Sequence, residues 1–366
     1  MFYSIKKFLL FFFLILCGNI FNVHAQLRIA LAGLSHDHVH GILQKYKNNQ
    51  VLIIAIAEAN PDLVKRYQQR YQLPDSLFYK DLPSLLKHIK PDAVMAFNAI
   101  SEHLNVVESC APLGVHVMVE KPLAFSVKQA ERMASLARQY KIHLLTNYET
   151  TWYASNQYVY DKVINSAVIG DIRKMVVHDG HEGPKEIGVS KEFLQWLTDP
   201  EKNGAGALID FGCYGANLMT WLMKGEQPTA VTATLKRIKP GVYPKVDDDA
   251  TILVEYPEAT GIIEASWNWP FSIKDLEVFG KIGYMQAVNN NTVRVRERGN
   301  RPYSILDLKE PSPPYQDYLS YLSAVLKGEI LSQNDLSSLE NNLIVVKILE
   351  AAKRSAKEGK RIVLKR

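Results

Sequence analysis

Along its first half the chain alternates short, unbroken apolar runs with longer stretches of helical spacing. Leu27 to Ala32 is a run of β-formers bounded by Gly33, after which apolar residues recur at helical intervals (Val39, Ile42, Leu43, Tyr46). Val51 to Ala57 is apolar throughout and ends at Glu58. A strand buried on both faces reads this way, as parallel strands do. Helical stretches over Pro61 to Tyr71 and Leu82 to Ile89 lead to a third strand, Asp92 to Phe97. Leu104 to Leu113 reads as helix and Val115 to Val119 as a fourth strand. Ser126 to Tyr140 is an amphipathic helix with Ala130, Met133, Ala134 and Ala137 on one face, and Ile142 to Thr146 is a fifth strand. Strands alternating with helices predict a doubly wound parallel sheet over residues 26–148.

Beyond residue 148 the pattern changes. Val231 to Leu235, Ala250 to Tyr256, Gly261 to Trp267, Asp275 to Gly280 and Ile282 to Val288 read as successive strands. Several alternate apolar with polar, as one-sided antiparallel sheets do. Helices over Tyr318 to Leu326 and Ser337 to Ala356 close the chain. Residues 149–366 are therefore expected to form a second, α+β domain with a largely antiparallel open sheet. A length of 366 residues accommodates two such domains.

Residues 1–25 stand apart from both halves. Lys6 and Lys7 precede an apolar core, Phe8 to Cys17, and Val23-His24-Ala25 supplies the small-x-small pattern of a cleavage site before Gln26. This is the pattern of a secretory signal, and the expectation is an exported, periplasmic protein cleaved after Ala25. A stable membrane anchor is not expected, because Gly18 and Asn19 cut the apolar run short of a membrane span. A lipoprotein lipidated at Cys17 is disfavoured by Leu16 before it. Net charge is +5, about +3 without Lys6 and Lys7, too weak and scattered to indicate nucleic acid. The remaining cysteines, Cys110 and Cys213, lie far apart in apolar segments and read as two buried thiols.

Candidate chemistry gathers at the carboxyl ends of the predicted parallel strands, where open α/β sheets bind ligands. The first turn, Gly33-Leu34-Ser35-His36-Asp37-His38, keeps only the first glycine of a dinucleotide fingerprint. Ser35 is small enough for a pyrophosphate to approach the backbone at the helix N-terminus. Glu58, 25 residues after Gly33, stands where an acid accepts hydrogen bonds from a ribose diol. His36, Asp37, His38 and His40 invite a metal reading, but no second cluster completes a ligand set at a recognisable spacing. These side chains are read instead as lining a phosphate-facing loop, and no metal is expected. Asn98 to His103, after the third strand, is expected to face the nicotinamide end of a dinucleotide, with Asn98 and His103 as contacts or His103 as a simple helix-start residue. The fourth strand ends in Glu120-Lys121-Pro122, two charges at a corner with no packing purpose.

At Glu120-Lys121-Pro122 the chain resembles the Gfo/Idh/MocA family, the glucose–fructose oxidoreductase and inositol dehydrogenase group, over essentially the whole mature chain. That resemblance implies a Rossmann-like nucleotide domain, a second domain whose open sheet often mediates oligomers, and a lysine between nicotinamide and sugar. The family's Thr-Pro-Asn-x-x-His loop is matched here only by His103. Its second signature, a glycine-rich segment followed by Asp-x-Gly-x-His, is matched by Gly204 to Tyr214, with Asp210 in place and Tyr214 where histidine is more common. Asp210 and Tyr214, four apart, would share one face of a helical turn.

The resemblance implies hydride transfer at a sugar or polyol carbon, with NAD or NADP as cofactor. Glu58 favours NAD slightly, and export implies a tightly held nucleotide. Lys121 is the expected donor to the reacting oxygen, Tyr214 the acid or base with its phenolate favoured by the nearby ammonium, and Asp210 its orienting partner or a sugar ligand. Gly33, Ser35, His36, Glu58, Asn98, His103, Glu120 and Lys121 are the expected cofactor contacts. Tyr148 and Trp152, just past the fifth strand, and His181 and Trp196 are the expected carbohydrate contacts, since hydroxyls take hydrogen bonds and sugar C–H faces stack on rings. His178, Asp179 and Glu182, beside His181, are read as lying between regular segments. Trp267 and Trp269 serve either the core or an interface between copies of the chain. Three functions stay open: an oxidoreductase on a sugar, an NAD-dependent glycosidase oxidising C3 transiently, and a non-catalytic binding relative.

Overall fold

The computed structural model of the chain describes residues 26–299 and 302–364; the expected signal segment and Cys17 lie outside the described residues. The first sheet contains β1 (Arg28–Ala32), β2 (Leu52–Ala57), β3 (Phe78–Tyr79), β4 (Ala93–Ala96), β5 (His116–Glu120) and β6 (Leu144–Asn147). All its pairings are parallel, in the order β3-β2-β1-β4-β5-β6. Strand order reverses between β1 and β4, which opens a crevice at their carboxyl ends. The helices between strands are α1 (Val39–Lys47), α2 (Pro61–Tyr71), α3 (Leu82–His88), α4 (His103–Cys110) and α5 (Val127–Tyr140). Their starts follow local chemistry: the Asn60, Asp81 and Ser126 side chains accept bonds from the exposed amides of the first turns of α2, α3 and α5.

Strand alternation divides the first core in two. Ala30, Val94 and Val117 face α5 residues such as Met133 and Ala137. Ile29, Leu31 and Met95 face the opposite layer, where α1 is joined by a late helix, α11 (Tyr318–Leu326), through Tyr321, Leu322 and Val325. The chain therefore returns from its second half to cover the first sheet.

The second sheet has nine strands in the order β14-β13-β12-β11-β7-β10-β9-β8-β15. These are β7 (Ile172–Gly180), β8 (Ala230–Lys236), β9 (Asp249–Glu255), β10 (Thr260–Ser266), β11 (Ile273–Gly280), β12 (Gly283–Ala287), β13 (Thr292–Glu297), β14 (Ser304–Asp307) and β15 (Ile362–Val363). Among the described residues, β7 and β10 pair in parallel and the other neighbours in this sheet are antiparallel. Helices α6 (Ala154–Tyr160), α7 (Lys191–Leu197), α8 (Pro200–Asn203), α9 (Ala207–Asp210) and α10 (Gly212–Leu222) connect β6, β7 and β8, and α12 (Leu339–Glu358) packs beside α10. The inner face buries Ile252, Val254, Ile263 and Val278; the outer positions of β9 and β10 are only half-buried. Trp267 is fully buried in this core.

Two sequence expectations change here. His178 and Asp179 lie on β7, a central strand, and not between regular segments. Charged residues at both ends of β7 masked its alternation. Asp210 and Tyr214 do not share one unbroken helical turn: α9 ends at Asp210, and α10 starts at Gly212 after Phe211. Cys110 and Cys213 are buried free thiols.

Helix α10 rides close to β10 because Gly215 has no side chain: a Cβ there would lie 2.6 Å from Ile263 Cγ2. Gly215→Ala is expected to lower stability by about 1–3 kcal/mol through overpacking, measured by chemical unfolding.

Candidate active site

The site begins where β5 ends. Adjacent strand residues point to opposite faces, so Glu120 and Lys121 reach different partners. Lys121 Nζ donates to the Asp210 carbonyl oxygen at 2.9 Å and to Asp210 Oδ1 at 2.5 Å. Asp210 Oδ2 accepts from Trp267 Nε1 at 3.0 Å. Both members of the pair are buried. Burial works to raise the Asp210 carboxyl, but the Lys121 ammonium, with His181 and the Trp267 N–H, holds it below the usual carboxylate range. For Lys121, burial works downward and Asp210 upward, and the net direction is up. The side chain is an ammonium.

Glu120 turns the other way. Its Oε1 accepts from Asn147 Nδ2 at 2.8 Å and its Oε2 from His38 Nδ1–H at 2.9 Å. Trp152 Nε1 in turn donates to Asn147 Oδ1 at 3.0 Å, and its ring packs against Tyr321. Trp152 thus orients the Asn147–Glu120 pair; it was expected against a sugar. His103 opens α4 and donates Nδ1–H to the Leu123 carbonyl at 3.1 Å, tying down the turn after Pro122. Burial lowers its pKa to about 4, so the ring is neutral.

Around Lys121 the second domain supplies aromatic and charged groups. The Lys121 and Lys274 ammonium nitrogens lie 5.0 and 4.8 Å from the Tyr214 ring centroid. Tyr148 meets Tyr214 edge-to-face at 5.5 Å, and its buried hydroxyl finds no protein partner. The expectation of a favoured Tyr214 phenolate is corrected: burial, and then Glu149 and Asp179, push its hydroxyl well up. The ammoniums face the ring, where they stabilise its π cloud, while desolvation decides the proton. Nor is Asp210 an orienting partner for Tyr214, since its carboxylate engages Lys121 and Trp267. His181 lies just past β7, edge-on to Phe211 at 4.8 Å, with Nδ1 accepting from the Gly183 amide at 2.8 Å.

Three residues of this cluster were missing from the expected site. Asp179 on β7 is buried, with Oδ1 unpartnered, and burial raises its carboxyl well above the usual range. Lys274 stands opposite it in register on β11 and forms an ion pair with Glu149. Burial works to raise Glu149, yet Lys274 and the Tyr153 hydroxyl bring it down to about 2. Asp179 had a signal in its polar neighbourhood, but Lys274 and Glu149 carried none.

A groove of about 570 Å³ opens at the carboxyl ends of β1, β2 and β4. Gly33, Ser35, Glu58, Asn98 and Trp196 are among its lining. Gly33 has φ +82°, and a Cβ there would lie 2.7 Å from Asn98 Cβ, so glycine is required at this turn. Glu58 accepts from the Leu34 and Asn60 amides, each at 2.8 Å, and burial raises its pKa. Trp196 belongs to this groove and is not at the Lys121 centre: its Nε1 donates to the Ser35 carbonyl at 3.3 Å, and it faces His36 at 5.6 Å. His36 is buried against Phe193, lined up with the loop and not exposed to the groove.

A parallel sheet in this strand order, with an acid ending its second strand and a lysine–aspartate pair closing the junction to a mixed sheet, defines a two-domain dinucleotide-binding oxidoreductase architecture. Residues 27–148 match the model of the oxidoreductase family with an NAD-binding Rossmann fold, and residues 160–286 match the GFO/IDH/MocA C-terminal domain. The chain belongs to the Gfo/Idh/MocA oxidoreductase family. It is 26% identical to trans-1,2-dihydrobenzene-1,2-diol dehydrogenase of Xenopus tropicalis over 56% of this chain, spanning 57% of that enzyme. It is 23% identical to the rhizopine catabolism protein MocA of Rhizobium meliloti over 57% of this chain and 63% of that protein. Among solved structures, aldose-aldose oxidoreductase from Caulobacter crescentus, complexed with glycerol, superposes with TM-score 0.76 at 23% identity, covering 93% of this chain and 100% of that one. An inositol dehydrogenase homolog from Azotobacter vinelandii, complexed with NAD+, gives TM-score 0.79 at 16% identity, covering 94% and 98%. At these identities the superpositions show the fold alone.

The buried pair makes a stability prediction with a definite sign. The folded Asp210 carboxyl lies below its unfolded value of about 4, so its contribution is present above that pH and is lost as pH falls through the folded pKa. Asp210→Asn leaves Lys121 charged and poorly matched, and should cost about 3–5 kcal/mol at neutral pH. The loss should shrink towards pH 3, measured by urea unfolding across pH.

Proposed function

We propose that the protein is an NAD-dependent oxidoreductase acting by hydride transfer on a sugar, a polyol or a derivative of one. The observation that carries this reading is the buried Lys121–Asp210 pair, which joins the end of β5 in the nucleotide domain to the second domain. The residues present fit a dinucleotide. Gly33 and Ser35 let a diphosphate approach the backbone, Asn98 Oδ1 is buried without a protein partner, and the Glu58 carboxylate keeps lone pairs for a ribose diol. The same carboxylate would repel a 2′-phosphate, which favours NAD. When bound, the nicotinamide supplies the hydride acceptor or donor.

The chain's own groups do the rest. The Lys121 ammonium donates to the reacting oxygen and stabilises the negative charge that builds there. The ionised form of Asp179, whose Oδ1 has no protein partner, accepts the hydroxyl proton in oxidation, and the protonated form returns it in reduction. Tyr214 stays protonated and acts as a hydrogen-bond donor and a ring surface. Lys274 neutralises Glu149 and tempers Asp179. Tyr148 and His181 line the same junction and are the proposed sugar contacts. Two of the similar proteins fit this class by name, a diol dehydrogenase and an inositol dehydrogenase homolog.

We also propose export with cleavage after Ala25, which rests on the leader pattern at residues 1–25. An enzyme outside the cytoplasm meets no free nucleotide pool, so the cofactor would be carried tightly from the cell. The half-buried outer face of the second sheet is the proposed contact between copies of the chain.

The purified protein should release a nicotinamide nucleotide on denaturation, read by absorbance and mass spectrometry, and should form NADH with a sugar or polyol. No bound or bindable nucleotide would overturn the proposal. Release of nitrophenol from nitrophenyl glycosides without net NADH would replace it with the glycosidase reading. Lys121→Ala should lower kcat by at least about 10²–10³-fold with the circular dichroism spectrum retained. Asp179→Asn should lower kcat and remove the acidic limb of the pH–rate profile.

A further inference from the structure

No second cluster at a recognisable sequence spacing completes a ligand set with the histidine-rich first turn, but the fold supplies a partner. Glu120, 82 residues beyond His38, comes to the loop from the end of β5. Ligand atoms of His36, His38 and Glu120 all lie within 4.8 Å of one another. Glu120 is buried and His38 half-exposed, so the cluster has an inner wall and an outer opening.

Two further observations point to a ligand. His36 is buried, and its Nε2 meets no protein donor or acceptor. An unsatisfied buried ring nitrogen is destabilising, and a native site keeps one when something outside the chain completes it. Second, the carboxylate is already oriented as a metal ligand's would be: Asn147 holds Glu120 Oε1, and Trp152 holds Asn147. The bond from His38 to Glu120 fixes both groups in the arrangement that a cation would replace. Ligation through His36 Nε2 moves the ring proton to Nδ1 and gives up the 3.1 Å bond from the His38 amide, so the metal–nitrogen bond has to exceed that loss.

We propose that His36, His38 and Glu120 form a binding site for one divalent transition metal ion. Two imidazoles and a carboxylate suit zinc and its neighbours better than magnesium or calcium, and three protein ligands leave coordination positions open to water or to an oxygen of a bound molecule. The site adjoins the Lys121 centre through the Glu120–Lys121 peptide, so an ion there would add positive charge beside the reacting groups. The proposal is independent of the nucleotide reading, and its test measures metal alone.

The experiment uses the full mature chain, freed of metal by chelator, titrated with Zn²⁺ by calorimetry and with Co²⁺ by visible absorption. The expected result is one ion per chain and a cobalt band of low-symmetry, imidazole-containing coordination. His38→Ala, at a half-exposed position, and Glu120→Gln should each weaken Zn²⁺ binding at least tenfold. His36→Ala should do the same if it folds. His178→Ala is the control: with Asp275 and Glu277 it forms a second such cluster on the outer face of the sheet, and its loss should leave the stoichiometric site unchanged. Zn²⁺ should raise the melting temperature of the wild type but not of His38→Ala. Absence of saturable one-to-one binding overturns the proposal. So does binding that survives His38→Ala and Glu120→Gln, or that His178→Ala removes.

Discussion

The junction between the two sheets is organised around the salt bridge between Lys121 and Asp210. It ties the residue after β5 to the short helix before α10, and both side chains are buried. An isolated buried charge of either sign would be intolerable, so each side chain holds the other in place. The Trp267 indole takes the second carboxylate oxygen, and with it the pair is satisfied from both domains. The junction between the two sheets is therefore set by electrostatics at a point, while apolar packing on either side fills the volume around it.

That constraint explains the arrangement of the neighbouring charges. Once the ammonium is committed to Asp210, the other buried acids must be balanced otherwise. Glu149 takes Lys274, and Asp179 is left between the two lysines with its proton affinity raised. Aromatic rings occupy the remaining wall: Tyr214 faces both ammoniums, and Tyr148 stands edge-on to it. The result is a buried polar cluster whose members are held by one another more than by solvent.

Much of the first domain was legible in the sequence because parallel strands buried on both faces leave unbroken apolar runs, as at Val51 to Ala57. Helix starts were legible where a capping side chain stood before the apolar period, as at Ser126. The second domain was harder. β7 carries charges at its ends and pairs in parallel with β10 across eighty residues of chain, so neither its alternation nor its neighbours announced it. Asp179 and Lys274 become a pair only through the β7–β11 register, which no local pattern encodes. Asp210 was found through resemblance and not through periodicity, and the break at Phe211 shows why periodicity misled. Trp152 was placed just past the right strand, but both it and Trp196 were assigned to the wrong neighbours, since an indole's hydrogen-bond partner is a three-dimensional fact.

The loop after β1 is held not only by its own domain. Trp196 bonds the Ser35 carbonyl, the Ser190 amide bonds the Asp37 carboxylate at 2.8 Å, and Arg66 on α2 meets Glu192 at 2.7 Å. A clasp from the second half thus spans the entrance to the groove. Separating the two halves would have to break all three contacts. Glu192 and Trp196 line the groove together with Gly33 and Glu58, so its wall, and the shape it offers a ligand, belong to two distant parts of the chain.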